Sequence, residues 1–529
     1  MAWWKAWGAN QRRRSHRPTW IIKRYILDMT SQGTIIPRVL FCFALALAIA
    51  GCDGVSDPQP QSGFAPEEAV SSIEGLEAAT TGNYNRLISG GYYHYSRHLF
   101  YMTEFAGDNI SLSGSTTDPL FGSYTLGHTV DQFNAENFWN LSYEIIHGTS
   151  RVIDEVESGE SARRDQLLGE NLFLRAMVHF HLVKIFGRPY TQGRDNLGVP
   201  IVKSPNPDEN ASRNTVGEVY DFIVQDLERA AGLMTEEKGN PYASKEVAQA
   251  LLSRVHLYRE ENQKAIDYAN KVINSGRYSL IQDSTQYVTW PTRPPEENPQ
   301  TIFAVKHTEE DNKGFGSIGS MYYTSPDGLG WGEMYASKDY RELLNQHPED
   351  NRRGFIEPSL GDDGNVQERN GYPIHYVKKF TGQSGNTLLS SPVILRLAEM
   401  YLNRAEANAK LGNDRQALND VNKIRKRAGL SGDALYEMSD LSGAQTALDV
   451  VLRERRLELA FEGFRAYDLW RNGRPVVRDY PGIHTEVNIA PGLDESTDPA
   501  TQTIPPDHPR VVHFIPEREI DLTGMTQNP

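Results

Sequence analysis

The sequence predicts a mainly α-helical fold, built from helical hairpins of the tetratricopeptide (TPR) type that form a right-handed scaffold, with one long irregular insertion carrying short strands. Three observations predict it. Apolar residues recur at helical spacing through most of the chain. Two helix pairs share the same spacing of small residues, as an internal repeat would. Between Tyr278 and about Ser391 the helical period gives way to Pro, Gly and aromatic residues.

At 529 residues, with 39% hydrophobic and 23% charged residues, the chain has ordinary globular composition and length for two to four domains. Its mean hydropathy of −0.54 and the lack of an apolar run of about 18 residues argue against a membrane-spanning helix. The one strongly apolar stretch, Val39 to Ala50, follows Arg38 and precedes Gly51-Cys52. It has the length of a signal-peptide core. Ile49-Ala50-Gly51-Cys52 resembles a bacterial lipobox, in which Cys52 is acylated and becomes the first mature residue. Residues 1–51 therefore read as a signal region. Met29 is the more normal start, which makes 1–28 an upstream misreading; a long leader is the alternative, and the distance from Arg12-Arg13-Arg14 to the apolar core disfavours a twin-arginine signal. With Cys42 lost in the leader, Cys52 is the single mature cysteine, so neither an intramolecular disulfide nor a thiolate metal cage can form. The leader holds eight basic residues and one acidic, so the formal net charge of −15 becomes about −22 in the mature chain. A chain so acidic is a poor ligand for phosphate backbones, and nucleic acid is excluded as a partner. Residues 52–65 contain the polar, Pro-bearing run Asp53 to Ser62, a tether between the lipid and the fold.

Residues 66–280 read as a helical region. Pro66 to Leu87 places Ala69, Ile73, Leu76 and Ala79 near helical spacing. The stretch SGGYYHYSRHLFYMTEFAGDN follows, dense in aromatics, and then Ser111 to Thr129, whose Gly, Ser and Thr content predicts an exposed binding loop. Helices are expected from Phe138 to Val156 and from Leu167 to Phe186. Thr215 and Glu218 have the spacing of a capping box at the head of another. Ser244–Arg259 and Gln263–Ser275 then make a hairpin, with Ala248, Leu251, Leu252 and Val255 facing Ala265, Tyr268, Ala269 and Val272.

Residues 281–391 form the irregular insertion, in which Thr301 to Val305 and Ile374 to Phe380 suggest short strands. A segment of this kind is a poor core element and a frequent seat of function. In residues 392–529, Ile394, Leu397, Ala398 and Tyr401 lie on one helical stripe and Ala417, Val421, Ile424 and Ala428 on another. Leu411-Gly412-Asn413-Asp414 breaks between them and Gly429 ends the hairpin. Ser253 and Ala265 stand twelve residues apart, as Ala405 and Ala417 do. Beyond, LRERRLELAFEGFRAYDLWRNGR interleaves Leu452, Leu459, Phe461, Phe464, Leu469 and Trp470 with Arg453, Glu454, Arg455, Arg456, Glu458, Glu462, Arg465 and Asp468. Charges so close to an apolar face predict Arg–carboxylate pairs that lock the helix to its neighbours, in preference to catalysis. The tail after Arg474 is Pro-rich, with Val511 to Ile515 extended.

The runs RLAEMYLNRAEANAKLG, NKIRKRAGL and RERRLELAFEGFRAYDLWRNG, in that order, closely resemble the C-terminal signature of the SusD/RagB family of outer-membrane nutrient-binding lipoproteins. FLRAMVHFHLVKIFGRPY resembles the corresponding earlier segment, and Asp108-Asn109 sits where the family has an acidic turn. Around Ser150 the chain reads HGTSRVID and departs from the family's Asn. The resemblance covers about 66–529 and is weakest in the loops that would choose a ligand.

No hydrolase, P-loop or zincin motif occurs, and no cofactor is required by any motif. His94 and His98 are four apart but lack the Glu of a metalloprotease, and His179 and His181 point to different sides of a helix; all four read as core or polar histidines, not metal ligands. Asp362-Asp363 and Glu296-Glu297 are pairs that an acidic chain produces by chance. What remains is recognition. Sugars offer C–H faces to flat aromatic rings and hydroxyls to Asn, Arg and Asp. Three sets supply such groups: Met321-Tyr322-Tyr323 with Trp331; Tyr287 with Trp290; and Tyr92, Tyr93, Arg97, Asn109 and Tyr124. The competing reading of each aromatic is that it packs a loop onto the scaffold.

The resemblance implies a cell-surface lipoprotein of the outer membrane, facing the exterior, that binds an oligosaccharide and delivers it to a SusC-like TonB-dependent transporter without covalent chemistry. A peptide-binding member of the same family, a TPR-type protein scaffold without a small ligand, and a lipid-anchored glycan hydrolase are the alternatives.

Overall fold

The computed structural model describes residues 72–114, 116–204, 212–485, 493 and 501–529. They belong to one compact unit, Pro66–Pro529. The signal region, the alternative start, the lipobox and the tether lie outside the described residues.

The amino-terminal half is a helical bundle. Its long helices are α1 (Ile73–Arg86), α2 (Tyr95–Glu104), α3 (Phe133–Glu155), α4 (Ala162–Phe186) and α5 (Val216–Leu233). α4 is buried on nearly every side from Gln166 onward, its polar Glu170, Asn171 and Arg175 included, and is the centre on which α1, α3 and α5 pack. α3 and α4 each begin five residues earlier than their apolar stripes predict. The first turn of α4 is polar and at most partly buried, and Ser161 caps it by accepting the Arg164 N–H at 3.3 Å, whereas α3 opens on an exposed Phe133 followed by buried Asn134 and Ala135. Thr215 and Glu218 make the capping box expected at the head of α5.

The two hairpins are present as expected: α6 (Lys245–Tyr258) with α7 (Asn262–Ile273), and α8 (Leu397–Lys410) with α9 (Asp414–Arg427). α7 packs on α8, so pairs far apart in the chain stack into one array. Small residues permit the close approach. Ser253 donates to the Ala265 carbonyl at 3.0 Å, and Ala405 and Ala417 are fully buried in the second pair. Arg254 clamps the two pairs together, donating to both Glu399 oxygens and to the Ile394 carbonyl at 2.6 Å.

Then come α10 (Ala447–Glu458) and α11 (Arg465–Trp470), where the charged pattern forms the pairs it predicts. Arg455 holds Asp468 at 2.7 Å, Glu454 takes Arg352 at 2.6 Å and Arg425 at 3.0 Å, and Arg396 bridges Glu458 and Glu462 at 2.5 and 2.8 Å. Arg465 and Arg456 both reach Asp108, at 2.8 and 3.4 Å. Burial pushes the Asp108 carboxyl up, but Arg456 and Arg465 outweigh it and bring it down to about 2. Arg453 alone of the named charges turns outward, donating to the Ser442 carbonyl.

The insertion is pinned by short antiparallel pairs. β1 (Ile110–Leu112) joins β3 (Met334–Ala336), and β2 (Thr301–Ala304) joins β8 (Val393–Arg396), closing the insertion on itself at its two ends. β4 (Ile356–Pro358) pairs β7 (His375–Val377), β5 (Glu368–Arg369) pairs β6 (Tyr372–Pro373), and in the tail β9 (Val476–Asp479) pairs β10 (Thr501–Ile504). One expectation is corrected. Ser111 to Thr129 is largely built into the fold, through β1 and a short helix Phe121–Thr125, and so is not an open loop. Beyond a 3-10 turn, Pro509–Val511, the chain is extended at Val512 and joins no strand pair.

Candidate functional site

The β1–β3 pair brings the middle of the insertion beside α2, and an aromatic platform lies at that junction. On one side, a 3-10 turn Gly91–Tyr93 sets Tyr92 and Tyr93 at the head of α2. Their rings meet edge-on with centroids 4.7 Å apart, and Phe133 stands 4.9 Å from Tyr93. The Arg97 guanidinium sits beneath, 4.6, 5.4 and 4.9 Å from the rings of Tyr92, Tyr93 and Tyr101. Its charge is met by Asp118 at 2.5 Å.

On the other side is Trp331. Its N–H and that of Gly332 both donate to the Ser320 carbonyl, at 2.7 and 2.9 Å, which fixes the backbone carrying the indole. Gly330, at φ +108°, occupies a conformation that a side chain would strain. The indole Nε1 donates to the Tyr92 hydroxyl at 3.1 Å, and the Phe315 ring stands 5.0 Å away at 63°. Trp331 is nonetheless 46% exposed, which for the largest apolar side chain, on a backbone so fixed, marks a surface for contact.

The sequence candidates separate accordingly. Trp331 and Arg97, far apart in the chain, are brought together through Tyr92, with Arg97 fully buried as the pedestal under the rings. Tyr323 is partly buried and turns toward Tyr376, 5.5 Å away. Four candidates require correction, because each is buried and engaged. Tyr322 packs among Tyr101, Phe105, Phe380 and Phe461. The Tyr124 hydroxyl pairs with His484 Nδ1 at 2.9 Å over Arg478. Asn109 donates to Glu104 and accepts from Arg456, both at 3.0 Å. Trp290 fills a small core with Tyr287, Phe355 and Val393. Phe315, Asp118, Phe133 and Tyr376 are not singled out by sequence. Phe315 stands in the Gly-rich run FGSIGSM, the one local signal that marks its neighbourhood.

His94, His98, His179 and His181 are all buried, and burial pushes His98 and His179 down to about 3, as for neutral core rings. Among the described residues no group of three or more His, Cys, Asp or Glu is placed to hold a metal ion. The platform's own carboxylate, Asp118, is tied to Arg97. Chemically the arrangement offers flat apolar faces rimmed by a phenol hydroxyl, which is the complement of a sugar ring.

Comparison with known proteins agrees with the architecture. Residues 80–257 match a family model described as starch-binding associating with the outer membrane. A SusD superfamily protein of Bacteroides vulgatus has a solved structure 30% identical, with a TM-score of 0.73, covering 87% of this chain and 99% of its own. SusD-like protein P38 of Formosa agariphila is 23% identical over 83% of this chain and 92% of its own length. A laminarin-binding SusD-like protein shares the fold at 21% identity, with a TM-score of 0.65 over 86% of this chain and 98% of its own. Residues 205–529, more than half of the chain, match the SusD family model, and the chain belongs to the SusD family.

Proposed function

We propose that this protein is a glycan-binding lipoprotein of the outer membrane, anchored through Cys52 and facing the exterior, that captures a neutral oligosaccharide and passes it to a SusC-like TonB-dependent transporter. The observation that carries the binding step is Trp331, held rigidly by Ser320 and Tyr92 yet half open to solvent. Neutrality follows from the charges near the rings. Arg97 is paired with Asp118, Arg369 with Glu333 and Lys378 with Glu357, so each is already met before an anionic sugar could use it. The starch-binding description of the matching family model and the laminarin ligand of one structural relative support a glucan-type ligand. Membrane attachment and the transporter partner rest on the lipobox and on family membership.

Calorimetry against a panel of oligosaccharides and peptides tests the reading, with Trp331→Ala beside the wild type. Removing one stacked ring forfeits about 0.5–1.5 kcal/mol beyond the area it buries, so affinity should fall roughly tenfold or more while the melting temperature stays. Binding to peptides alone would keep the family and change the nutrient. Turnover of a bound oligosaccharide by the purified protein would overturn the non-enzymatic reading.

A further inference from the structure

A cleft of about 780 Å³ opens between the helical hairpins and the carboxy-terminal tail, and it shares no residue with the aromatic platform. Its walls include Glu260 and Asn262 from the turn between α6 and α7, Lys410 at the end of α8, Trp470 and Asn472 at the end of α11, and Asp507 of the tail. That volume suits a small ligand. The two hairpins come into register when Ser253 is set on Ala405 and Ala265 on Ala417, and Glu260 then falls on Gly412. Both positions are left-handed, at φ +59° and +78°, where glycine is at ease and a side chain is strained. The first hairpin thus carries a carboxylate where its repeat carries no side chain. Glu260 reaches Lys410 at 3.0 Å and stays about half exposed, while Lys410 also meets Glu406 at 3.3 Å. Asp507 is exposed and makes no ion pair among the described residues; Arg188 feels its charge from farther off but donates to the His508 carbonyl at 2.9 Å. Trp470 is 1% exposed, yet its indole N–H has no acceptor, and Asn262 Oδ1 has no donor, among the described residues. Buried polar groups left in this state are costly.

We infer that the cleft takes a basic residue of a peptide, its ammonium or guanidinium held by Glu260 and Asp507 and its main-chain carbonyl by Trp470. The balance of free groups selects this chemistry. The cations of the cleft are already committed, Arg471 to Glu406 and Asp468 at 2.5 and 2.7 Å and Lys410 to Glu260 and Glu406, so an anion finds no partner. Acceptors are in surplus. Asn472 spends its NH2 group on Glu406 and the Asp468 carbonyl, at 3.1 and 2.7 Å, which leaves its Oδ1 beside Asn262 Oδ1 and the two carboxylates. A ligand rich in N–H donors is therefore favoured. The indole N–H asks for one acceptor on that same ligand, which a simple amine lacks and a peptide unit supplies. None of this depends on what the Trp331 platform binds.

The test titrates the full-length protein, in a detergent without a sugar head group, with acetyl-Gly-Lys-Gly-amide, acetyl-Gly-Arg-Gly-amide, the Gln and Glu counterparts of these peptides, and n-pentylamine, by calorimetry. The Lys or the Arg peptide should bind about fivefold or more tightly than the Gln peptide and than pentylamine, and the Glu peptide should not bind. Glu260→Gly is the sharpest variant, because glycine suits the backbone there and Lys410 keeps Glu406. Its melting temperature should hold or rise while affinity for the basic peptide falls about fivefold, and Asp507→Asn should weaken binding likewise. Saturating maltohexaose should leave the peptide affinity unchanged. Equal binding of the Lys, Arg and Gln peptides would overturn the cation site, and pentylamine binding as tightly as the Lys peptide would overturn the peptide class. Full affinity in both Glu260→Gly and Asp507→Asn, or competition by maltohexaose, would overturn the assignment to this cleft. Binding of none of the peptides would overturn the proposal and leave the platform reading standing. If Glu260→Gly melts lower, Glu260 is a structural partner of Lys410, and Asp507→Asn, on an exposed residue, decides alone.

Discussion

Glu458→Gln probes the charged helix most directly, because it leaves one guanidinium stranded. Glu458 ends α10 with its side chain fully buried; it accepts from Arg396 at 2.5 Å and from Arg427, lies 3.6 Å from Arg352, and takes the Tyr287 hydroxyl at 3.3 Å. Burial alone would raise its pKa, but Arg427, Arg396 and Arg352 outweigh burial and hold it well below the carboxylate range. After the substitution Arg396 keeps Glu462 at 2.8 Å, and Arg352 keeps Asp350 and Glu454 at 2.6 Å. Arg427 keeps only the Tyr287 ring, 4.0 Å from its Cζ, and no carboxylate. Breaking a buried pair from one side costs about 3–5 kcal/mol, and a glutamine that still accepts one hydrogen bond places this case near 3. That is a large fraction of a stability of about 5–15 kcal/mol. Urea denaturation at neutral pH, followed by near-ultraviolet circular dichroism, measures it. Adding Arg427→Met should recover much of the loss, since removing both partners is close to neutral. The folded pKa is depressed, so Glu458 contributes fully above the ordinary carboxylate value of 4.5 and its contribution fades as pH falls through the folded value. The gap between wild type and Glu458→Gln should therefore begin to close below about pH 4.5 and narrow progressively as the pH is lowered further. A cost under about 1 kcal/mol, or a double variant no better than the single one, would refute the pairing scheme.

Arg456→Ala should cost about 1–3 kcal/mol by denaturation, because Asn109 Oδ1 loses the donor it has at 3.0 Å, while the Asp108 carbonyl keeps Ser337 and its carboxylate keeps Arg465. His98 and His179, pushed down to about 3, stay neutral in the folded chain while the unfolded chain takes up protons below about pH 6.5. More protons then bind the unfolded state, so stability should fall with pH from about 6.5 to 3, and His179→Gln should flatten the slope of melting temperature over that window. Cys52→Ser should move the protein from the membrane fraction to the soluble one; retention in the membrane would remove the lipobox reading.

The legible parts of this fold are those with a period. The stripes of α6 to α9 and the Thr215 cap are local rules, and the structure follows them. The type of interaction around α10 is legible as well, because eight charges near an apolar face must be paired if they are buried. Their partners are not, since Asp350, Arg352 and Asp108 stand far off in the chain and only the folded topology brings them in. The site is hardest to read. Tyr322 and Tyr323 are neighbours in an irregular stretch with no repeat to say which ring faces inward, and the fold buries one among Tyr101, Phe105 and Phe380 while turning the other out beside Tyr376. Phe133 is 44% exposed, so it lies outside the apolar stripe that marks α3 and carries no periodic signal.

The family signature and the platform are joined mechanically, although no signature residue reaches the rings. Arg456 and Arg465 grip Asp108 and Asn109, at the corner where α2 turns into β1. The same corner takes the insertion, because Ser337 donates to the Asp108 carbonyl at 2.8 Å and its N–H to the Asn109 carbonyl at 2.9 Å, just after β3 pairs with β1. Glu104, at the end of α2, accepts the N–H groups of Phe461 and Gly463 at 3.1 and 2.8 Å. One end of α2 is thus fixed to α10 and α11, while its other end carries Tyr92, Tyr93 and Arg97. The strand that leaves Trp331 is fixed to the same corner three residues later. Binding geometry on this surface therefore depends on buried ion pairs at the far end of α2. Variants such as Arg456→Ala should loosen glycan affinity as well as lower stability, whereas Arg404→Ala, whose bidentate pair with Asp420 lies between α8 and α9, should lower stability alone.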